Sequence, residues 1–261
     1  MTRLLAAIMC IVVFSVLPAQ GQQKGQYMPG QYGLNAGVFP DPGITYANLT
    51  INYPADSLRD SSGNAVPLVD SYDIWAIENI FYYVPNSKVL GGKLSLMAAF
   101  PTLADGALTL GSLNFPNVAL SGGGFGLADT WLQPATMGWS LKRTQITPGE
   151  AFTTEWGAGQ VLPLKKDMSQ LLQAGVIGYD QWQVTPNGGF LRPAVPARLV
   201  PFYSVHAVGF QTNYIAPVKS LNFFFKYENE YRALARPQGR EIIFGGTYTF
   251  RIPKPAPPPK P

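Results

Sequence analysis

Cysteine and histidine, the side chains that most often bind transition metals or act as nucleophile and base, are nearly absent from this chain. Its 261 residues include one cysteine, Cys10, and one histidine, His206. Cys10 falls in a predicted leader, so the mature chain would have neither a disulfide nor a thiolate site. A lone histidine argues against a transition-metal centre, and we expect no cofactor.

Charged residues are also scarce, at 13% of the chain. The formal net charge of +4 arises at the chain ends, from Arg3 near the start and from Arg251, Lys254 and Lys260 near the end. Without these four residues, basic and acidic side chains are equal in number. No basic stripe remains that could follow a phosphate backbone, so we expect no nucleic-acid partner.

Long apolar runs are missing after the N terminus. Residues 1–21 combine Arg3, an apolar run from Leu4 to Leu17 and a small-x-small site at residues 19–21, the pattern of a secretory signal peptide. No later run is long enough to span a membrane as a helix of about 20 residues. A mature chain in a membrane would therefore have to cross it as a closed β-barrel.

Glycine, proline and aromatic residues, in contrast, are abundant, with 27 Gly, 24 Pro and 13% aromatics. This composition, with little helical periodicity, predicts an all-β fold. The clearest pattern is the closing hairpin, residues 220–250, where apolar and largely polar residues alternate with period two. Its predicted apolar face comprises Leu221, Phe223, Phe225, Tyr227, Tyr231, Ile242, Phe244, Gly246, Tyr248 and Phe250.

Long strands with one aromatic face and one polar face are typical of transmembrane barrels of the bacterial outer membrane. We therefore predict an all-β, antiparallel transmembrane β-barrel in the outer membrane of a Gram-negative bacterium. Its partners would be outer-membrane lipid and a small solute. Residues 22–43 form a Gly/Pro-rich lead-in, residues 44–251 the barrel, and residues 252–261 a proline-rich periplasmic tail. The predicted strands are residues 44–53, 72–84, 90–100, 126–141, 151–162, 169–184 and 203–216, and the two arms of the hairpin.

The predicted strands number about nine. Their alternating directions are inconsistent with a closed barrel whose two chain ends lie on the same side of the membrane. If both chain ends lie in the periplasm, the fourth strand ends inside and the fifth begins outside. Only residues 142–150 lie between them, and they show no alternation and contain Pro148 and Gly149. A spanning strand needs about 9–11 residues with a turn at each end. An odd number of strands is therefore missing, and we infer an internal deletion near Arg143 and Thr144 that leaves closure of the barrel in question.

Several short stretches, in consistent order along the mature chain, carry a family resemblance. They are residues 27–30, residues 75–93, residues 124–129 with 132–134, 138 and 139, residues 225–231, and residues 236–239. In these stretches the chain resembles the outer-membrane proteins of the phenol meta-cleavage-pathway degradation family, a group of aromatic-compound channels. The resemblance implies a barrel of about twelve strands. In that family further strands follow a Gly-Trp pair like Gly138-Trp139, which agrees with the inferred deletion.

Charged residues on the polar face of the predicted strands are the candidates for a functional site. Arg or Lys facing lipid at mid-membrane costs about 2–4 kcal/mol, so charges at alternate positions should face the interior. They would form either a polar path for a permeating solute or salt bridges that brace the wall. The candidates for lining the lumen are Lys226, Glu228, Glu230, Arg232, Glu78, Lys93, Asp129 and Glu155.

Three functional readings follow from this pattern. The first is a channel for passive uptake of small molecules, aromatic or hydrophobic ones among them. The second is a barrel without transport, either structural, surface-binding or a truncated family member. The third is an exported enzyme or a soluble β-sandwich. An enzyme would have to use His206 in any Ser-His-Asp arrangement.

His206 shares a face with Val208, Phe210 and Tyr214, which indicates an interfacial rather than a catalytic histidine, and we expect no enzyme. The tryptophans Trp75, Trp131, Trp139, Trp156 and Trp182 are predicted to belong to the wall or its aromatic girdles.

Overall fold

The computed structural model describes residues 30–35, 41–66, 69–89, 91–112, 115–126, 130–138, 144–147, 151–184, 190–192, 195–196 and 202–251. Almost all of these residues are in antiparallel β-strands, with two short 3-10 helices at Gly33–Asn35 and Pro217–Lys219. Within these ranges no helix has the length and apolar character needed to cross a membrane. The predicted all-β, antiparallel fold is confirmed.

The strands fall into a main sheet and a small separate hairpin. The separate hairpin pairs β11 (Phe190–Arg192) with β12 (Val195–Pro196). The strands of the main sheet are β1 (Gly43–Arg59), β2 (Ala65–Val66), β3 (Val69–Val84), β4 (Lys88–Val89), β5 (Gly92–Ser112), β6 (Phe115–Gly126), β7 (Trp131–Gly138), β8 (Thr144–Thr147), β9 (Ala151–Pro163), β10 (Leu171–Gln183), β13 (Ser204–Ala216), β14 (Leu221–Leu234) and β15 (Pro237–Arg251).

The order across the main sheet is β8-β9-β10-β13-β14-β15-β1-β3-β5, with β6 and β7 both pairing with β5 and the short β2 and β4 attached to β1 and β5. The first and last strands are neighbours: Gly43 pairs with Arg251 and Leu58 with Pro237. The closing hairpin, β14 and β15, therefore occupies the middle of the sheet, where it is hydrogen-bonded on both sides.

Three of the connections that the sequence pattern placed between the predicted strands are corrected by the structure. The long connection predicted over residues 104–125 is instead the end of β5 and the whole of β6, which pair with each other. The polar loop predicted over residues 54–70 is shortened, because β1 runs on to Arg59 and β3 begins at Val69. The loop predicted over residues 186–201 contains β11 and β12. Glycine runs such as residues 122–124 weaken the sequence signal of a strand without preventing its ladder hydrogen bonds.

The segment predicted to lack a strand, residues 142–150, contains β8. This strand pairs antiparallel with β9, from Thr144 opposite Trp156 to Thr147 opposite Thr153. It therefore runs in the direction that the strand count required between β7 and β9. At four residues, β8 is far shorter than the 9–11 residues of a spanning strand. Among the described residues β8 pairs with β9 alone.

The two faces of the sheet differ, because the convex face is apolar and exposed whereas the concave face has an apolar part and a polar part. The convex face is apolar and accessible, with Phe244 59% exposed and Trp75 50% exposed. On the concave face, β1, β3, β5, β14 and β15 contribute an apolar cluster: Ala47, Leu49, Ile51, Ile80, Met97, Ala99, Phe224 and Ile243. Strands β9, β10, β13 and β14 contribute buried polar residues beside it, described below. The alternation predicted for the closing hairpin is thus present in the structure.

Two turns at opposite ends of the sheet are fixed by aspartates. Asp60 accepts hydrogen bonds through Oδ1 from the backbone N–H groups of Ser62 and Asn64, both at 2.8 Å. These bonds, the one from Asn64 first, lower the pKa of Asp60. Between β9 and β10, hydrogen bonds from the hydroxyl and N–H of Ser169 lower the pKa of Asp167.

Candidate functional site

The concave face encloses a short piece of the chain that precedes β1. We call residues 30–35 the interior turn; its last three residues are the 3-10 helix Gly33–Asn35. Gly30 and Gly33 have positive φ angles, +88° and +49°, which glycine adopts without strain. Both are buried. The interior turn therefore fills space that an open barrel would leave for solute.

One wall of this space binds the backbone of the interior turn through a carboxylate. Glu155 on β9 accepts hydrogen bonds from the N–H of Gly30 at 2.8 Å, of Tyr32 at 2.8 Å and of Gly33 at 3.2 Å. Hydrogen bonds to an ionised acceptor are about twice as strong as neutral ones. Glu155 is therefore the main anchor of the turn on this side.

A lysine binds the same turn from the opposite direction. Lys226 on β14, which is 2% exposed, donates through Nζ to the carbonyl oxygen of Gly30 at 3.0 Å and to that of Gln31. On β13, Gln211 accepts a hydrogen bond from the N–H of Leu34 at 2.7 Å. Anchors from β9, β13 and β14 thus fix both the donors and the acceptors of this backbone segment.

The sheet is strongly curved around the turn. The Tyr32 side chain adjoins that of Tyr82 on β3, whereas the Tyr32 N–H binds Glu155 on β9. Five strands, β1, β15, β14, β13 and β10, lie between β3 and β9 in the sheet. One residue can reach both only if the sheet curls back on itself.

Glycines on β9 make room for this close approach. A Cβ atom on Gly157 would lie 2.9 Å from the carbonyl oxygen of Gly33 and 3.1 Å from Cα of Leu34. A Cβ on Gly159 would lie 3.0 Å from Cδ2 of Leu34. Side chains at these two positions would hold the interior turn away from the wall.

A second cluster of polar groups surrounds Glu230, nearer the β14–β15 turn. Its carboxylate accepts hydrogen bonds from the hydroxyls of Tyr53 at 2.6 Å and Tyr179 at 2.9 Å, and from the N–H of Gly239 at 2.8 Å. The guanidinium of Arg236 lies 3.2 Å from the same carboxylate. Glu230 therefore ties β1, β10, β14 and β15 together, which is the bracing role considered from the sequence.

Glu228 and Glu241 differ from Glu155 and Glu230 in their hydrogen bonding. They lie directly opposite each other on β14 and β15, and they are 1% and 2% exposed. None of their four carboxylate oxygens has a hydrogen-bond partner among the described residues. We call these two residues the carboxylate pair. Burying two such charges without partners costs several kcal/mol or more in a protein interior.

The carboxylate pair converges on the interior turn. A Cβ atom on Gly30 would lie 2.4 Å from Oε2 of Glu228 and 2.4 Å from Oε2 of Glu241. The two oxygens are therefore no farther apart than twice that distance. Glycine is required at position 30 both by its positive φ and by this contact.

The eight residues predicted to line a lumen are distributed unevenly. Lys226, Glu228 and Glu155 meet around the interior turn, and Glu230 forms its own network beside them. Glu78, on β3, is buried on the concave face, whereas Lys93 lies near the other end of the sheet, opposite Lys88 and Gly138. Asp129 lies outside the described residues. Whether any of these residues lines a path for solute stays a prediction.

Arg232 is the exception, because it is exposed rather than interior. On β13, His206 pairs with Arg232 and the next residue, Ala207, pairs with Glu230. Tyr231 is therefore an extra residue in β14, a β-bulge that shifts the alternation of all later positions. Alternation with period two predicted that Arg232 lies on the inner face. The bulge instead places its side chain on the surface.

Several residues of these clusters were not predicted from the sequence. Glu241 was missed although it continues the inner face of β15 two residues before Ile243, so the same alternation would have found it. Tyr53, Tyr179 and Arg236 were missed because nothing in the sequence indicates that β1, β10 and the β14–β15 turn meet. Residues 30–35 were predicted only as part of a Gly/Pro-rich lead-in, without a position inside the sheet.

His206 lies on the convex side, away from these clusters. Its Nδ1 is 2.7 Å from Oδ1 of Asp180 on β10, and the Trp156 indole donates to the other oxygen of that carboxylate at 3.3 Å. The rings of Trp182 and Tyr231 lie 5.3 and 6.1 Å from the imidazole ring. This is an aromatic surface cluster, as expected of an interfacial histidine.

Exposed aromatic residues on the convex face include a group at each end of the sheet, with others such as Phe210 and Phe244 between the two groups. Near the end of the sheet where β1 begins, the exposed rings are Phe81, Tyr83, Tyr248 and Phe250; toward the other end they are Trp75, Phe152, Trp182 and Tyr231. Along β3, Tyr83 and Trp75 are eight positions apart, or about 27 Å. At a strand tilt of about 40° this corresponds to roughly 20 Å, close to the height of the apolar band of a membrane barrel. Trp139 lies outside the described residues, as does the side chain of Trp131.

The geometry defines a curved antiparallel sheet with an apolar convex face and an interior that contains an apolar cluster, a group of buried polar side chains and the interior turn. No protein-family model matches the sequence, and no curated protein matches it. Among solved structures, the fold is similar to an outer membrane channel from Pseudomonas putida, with a TM-score of 0.47 and 9% identity over 86% of this chain and 100% of that one. It is also similar to the beta domain of the Bordetella autotransporter BrkA, with a TM-score of 0.30 and 12% identity over 80% of this chain and 100% of that one. Both TM-scores are below 0.5, and the fold is defined by the strand pairing of this chain.

Proposed function

We propose that this protein is a β-barrel of the Gram-negative outer membrane that admits small molecules, and that the interior turn narrows its path. The observation that carries the proposal is an exposed apolar convex face combined with charged side chains buried on part of the concave face. Phe244, Phe210 and Trp75 are exposed on the convex face, whereas Lys226 and Glu228 are buried on the concave face. A soluble β-sandwich has polar residues on its outward faces, whereas the outward face of this sheet is apolar.

The solute class follows from the inner face and from the family resemblance. Acidic residues outnumber basic ones among the buried interior side chains of the described chain, so cations should pass more readily than anions. Tyr53, Tyr82 and Tyr179 place aromatic rings with hydroxyl groups on the same face. These residues and the resemblance to the phenol meta-pathway family both support small aromatic solutes.

A second candidate function is a barrel that does not transport. The contacts of the interior turn favour it, because Glu155, Lys226 and Gln211 fix that segment in the middle of the interior. A permanently held turn would leave no continuous path. The two functions differ in whether release of the turn opens a conducting path.

Single-channel conductance in planar lipid bilayers tests the proposal. The variant Glu155→Gln with Lys226→Met removes both charged anchors and leaves the net charge unchanged. Asp56→Asn with Arg240→Gln is the matched control, because it removes an exposed ion pair. We expect low, cation-selective conductance from the wild type and the control, and several-fold higher conductance from the anchor variant. Absence of conductance in all three would support the barrel without transport.

The aromatic preference needs a separate measurement. Liposomes containing the anchor variant are placed in isosmotic benzylammonium chloride, sodium benzoate or arabinose, and their swelling rates are compared. We expect benzylammonium to enter fastest, because it is aromatic and positively charged. Equal rates for the three solutes would contradict the proposed selectivity and leave only a general pore.

A further inference from the structure

We propose that the carboxylate pair, Glu228 and Glu241, holds one divalent cation of the Ca²⁺ type between the wall of the barrel and the interior turn. Ca²⁺ binds six to eight oxygen atoms at about 2.3–2.6 Å, mostly from carboxylates, carbonyls and water. The pair offers four carboxylate oxygens that have no hydrogen-bond partner within the described part of the chain. The inference concerns binding and holds whether or not the barrel transports a solute.

The two carboxylates of the pair converge on one point beside Gly30. Both Oε2 atoms lie 2.4 Å from the point where a Cβ atom of Gly30 would be. They therefore converge on one location from two adjacent strands. Two oxygens that share one Ca²⁺ ion are separated by at most about 5 Å, and the convergence at Gly30 satisfies that limit.

The formal charges around Gly30 do not balance. Glu155 binds the N–H of Gly30, Lys226 binds its carbonyl oxygen, and the carboxylate pair adjoins its Cα. Three carboxylates and one ammonium leave a formal excess of two negative charges. One divalent cation would neutralise this excess, whereas the lysine alone does not.

The neighbouring interior carboxylates, unlike the pair, have hydrogen-bond donors. Glu155 and Glu230 have donors from the backbone and from side chains, so they are satisfied without a cation. The amide oxygen of Gln31, the residue that follows Gly30, is also buried without a hydrogen-bond partner in the described residues. Of the five buried carboxylate oxygens without a hydrogen-bond partner in the described residues, four belong to the pair and the fifth to Glu78.

The cation would connect the wall to the interior turn. It would bind β14 and β15 through the carboxylate pair and would adjoin the backbone at Gly30 and Gln31. Its removal would leave two buried like charges side by side, which repel each other in a low-dielectric interior. The protein should therefore be less stable after chelation.

The test uses the full-length chain in lipopolysaccharide-free detergent micelles, treated with EDTA and then supplied with millimolar Ca²⁺. We expect about one Ca²⁺ per chain to be retained after gel filtration and the thermal midpoint to rise by about 5–10 °C. In the variant Glu228→Gln with Glu241→Gln, the repulsion is absent. That variant should retain no Ca²⁺, and its midpoint should not respond to EDTA and should exceed that of the chelated wild type.

A control variant and two results decide the question. Asp56→Asn with Asp167→Asn removes two exposed carboxylates and should bind Ca²⁺ as the wild type does. A wild type that neither retains Ca²⁺ nor gains stability would overturn the proposal and show that protons neutralise the pair. A calcium response of equal size in the Gln variant would also overturn it, because the ion would then bind elsewhere.

Discussion

At the residue scale, Gly30 shows how a single position is fixed by two independent constraints. Its φ angle of +88° disfavours any residue with a Cβ atom. The space where that Cβ would lie is occupied by the oxygens of Glu228 and Glu241. Gly91 has a similar φ of +79° but no atom within 4 Å of its Cβ position. A substitution at Gly91 therefore tests backbone strain alone, whereas one at Gly30 tests backbone strain together with steric exclusion.

We predict that Gly91→Ala lowers the free energy of unfolding by about 1 kcal/mol, the usual cost of left-handed backbone for alanine. Gly30→Ala should cost clearly more, because it also displaces the interior turn from the carboxylate pair. Urea unfolding in micelles, followed by tryptophan fluorescence, measures both changes. Equal losses in the two variants would show that the turn is not packed against Glu228 and Glu241.

At the element scale, β14 shows which part of a strand the sequence predicts and which part it does not. Alternation places Phe223 outside and Lys226, Glu228 and Glu230 inside, and the structure agrees. The bulge at Tyr231 then reverses the pattern. A bulge depends on pairing with a neighbouring strand, which has no signature in the residues of β14 alone. The prediction therefore fails at Arg232, the next residue.

The contrast between Glu230 and Arg232 gives a prediction for this strand. Glu230→Gln weakens the acceptor for Tyr53, Tyr179 and Gly239 and leaves Arg236 without its anionic partner, so it should cost about 3–5 kcal/mol of unfolding free energy. Arg232→Gln changes an exposed side chain and should cost less than about 0.5 kcal/mol. Urea unfolding at constant detergent concentration measures both. Similar effects from the two substitutions would contradict the assignment of Glu230 to the braced interior.

At the scale of the whole molecule, the fold class was predictable from the sequence but the contents of the interior were not. The period-two pattern and the aromatic strands indicate an antiparallel sheet with one apolar face. The count of strand directions also indicated that a strand was missing at residues 142–150. In the structure this segment contains the short strand β8. The position of residues 30–35 could not be predicted, because it depends on Glu155, Gln211 and Lys226 converging from three strands. These contacts join residues more than a hundred positions apart.

The membrane assignment itself makes a prediction that depends on depth. Phe210, at the middle of β13, and Phe250, next to the last residue of β15, are exposed to a similar extent, 49% and 53%. In a lipid bilayer, Phe210→Arg should cost about 2–4 kcal/mol, because the charge lies at the midplane, whereas Phe250→Arg should cost about 0–1 kcal/mol near the interface. In water the two substitutions would have equally small effects, because both side chains are on the surface. Unfolding free energies in phosphatidylcholine vesicles measure the difference. A larger loss at Phe210 would show that the convex face contacts lipid, and equal losses would favour a sheet that is not embedded in a membrane.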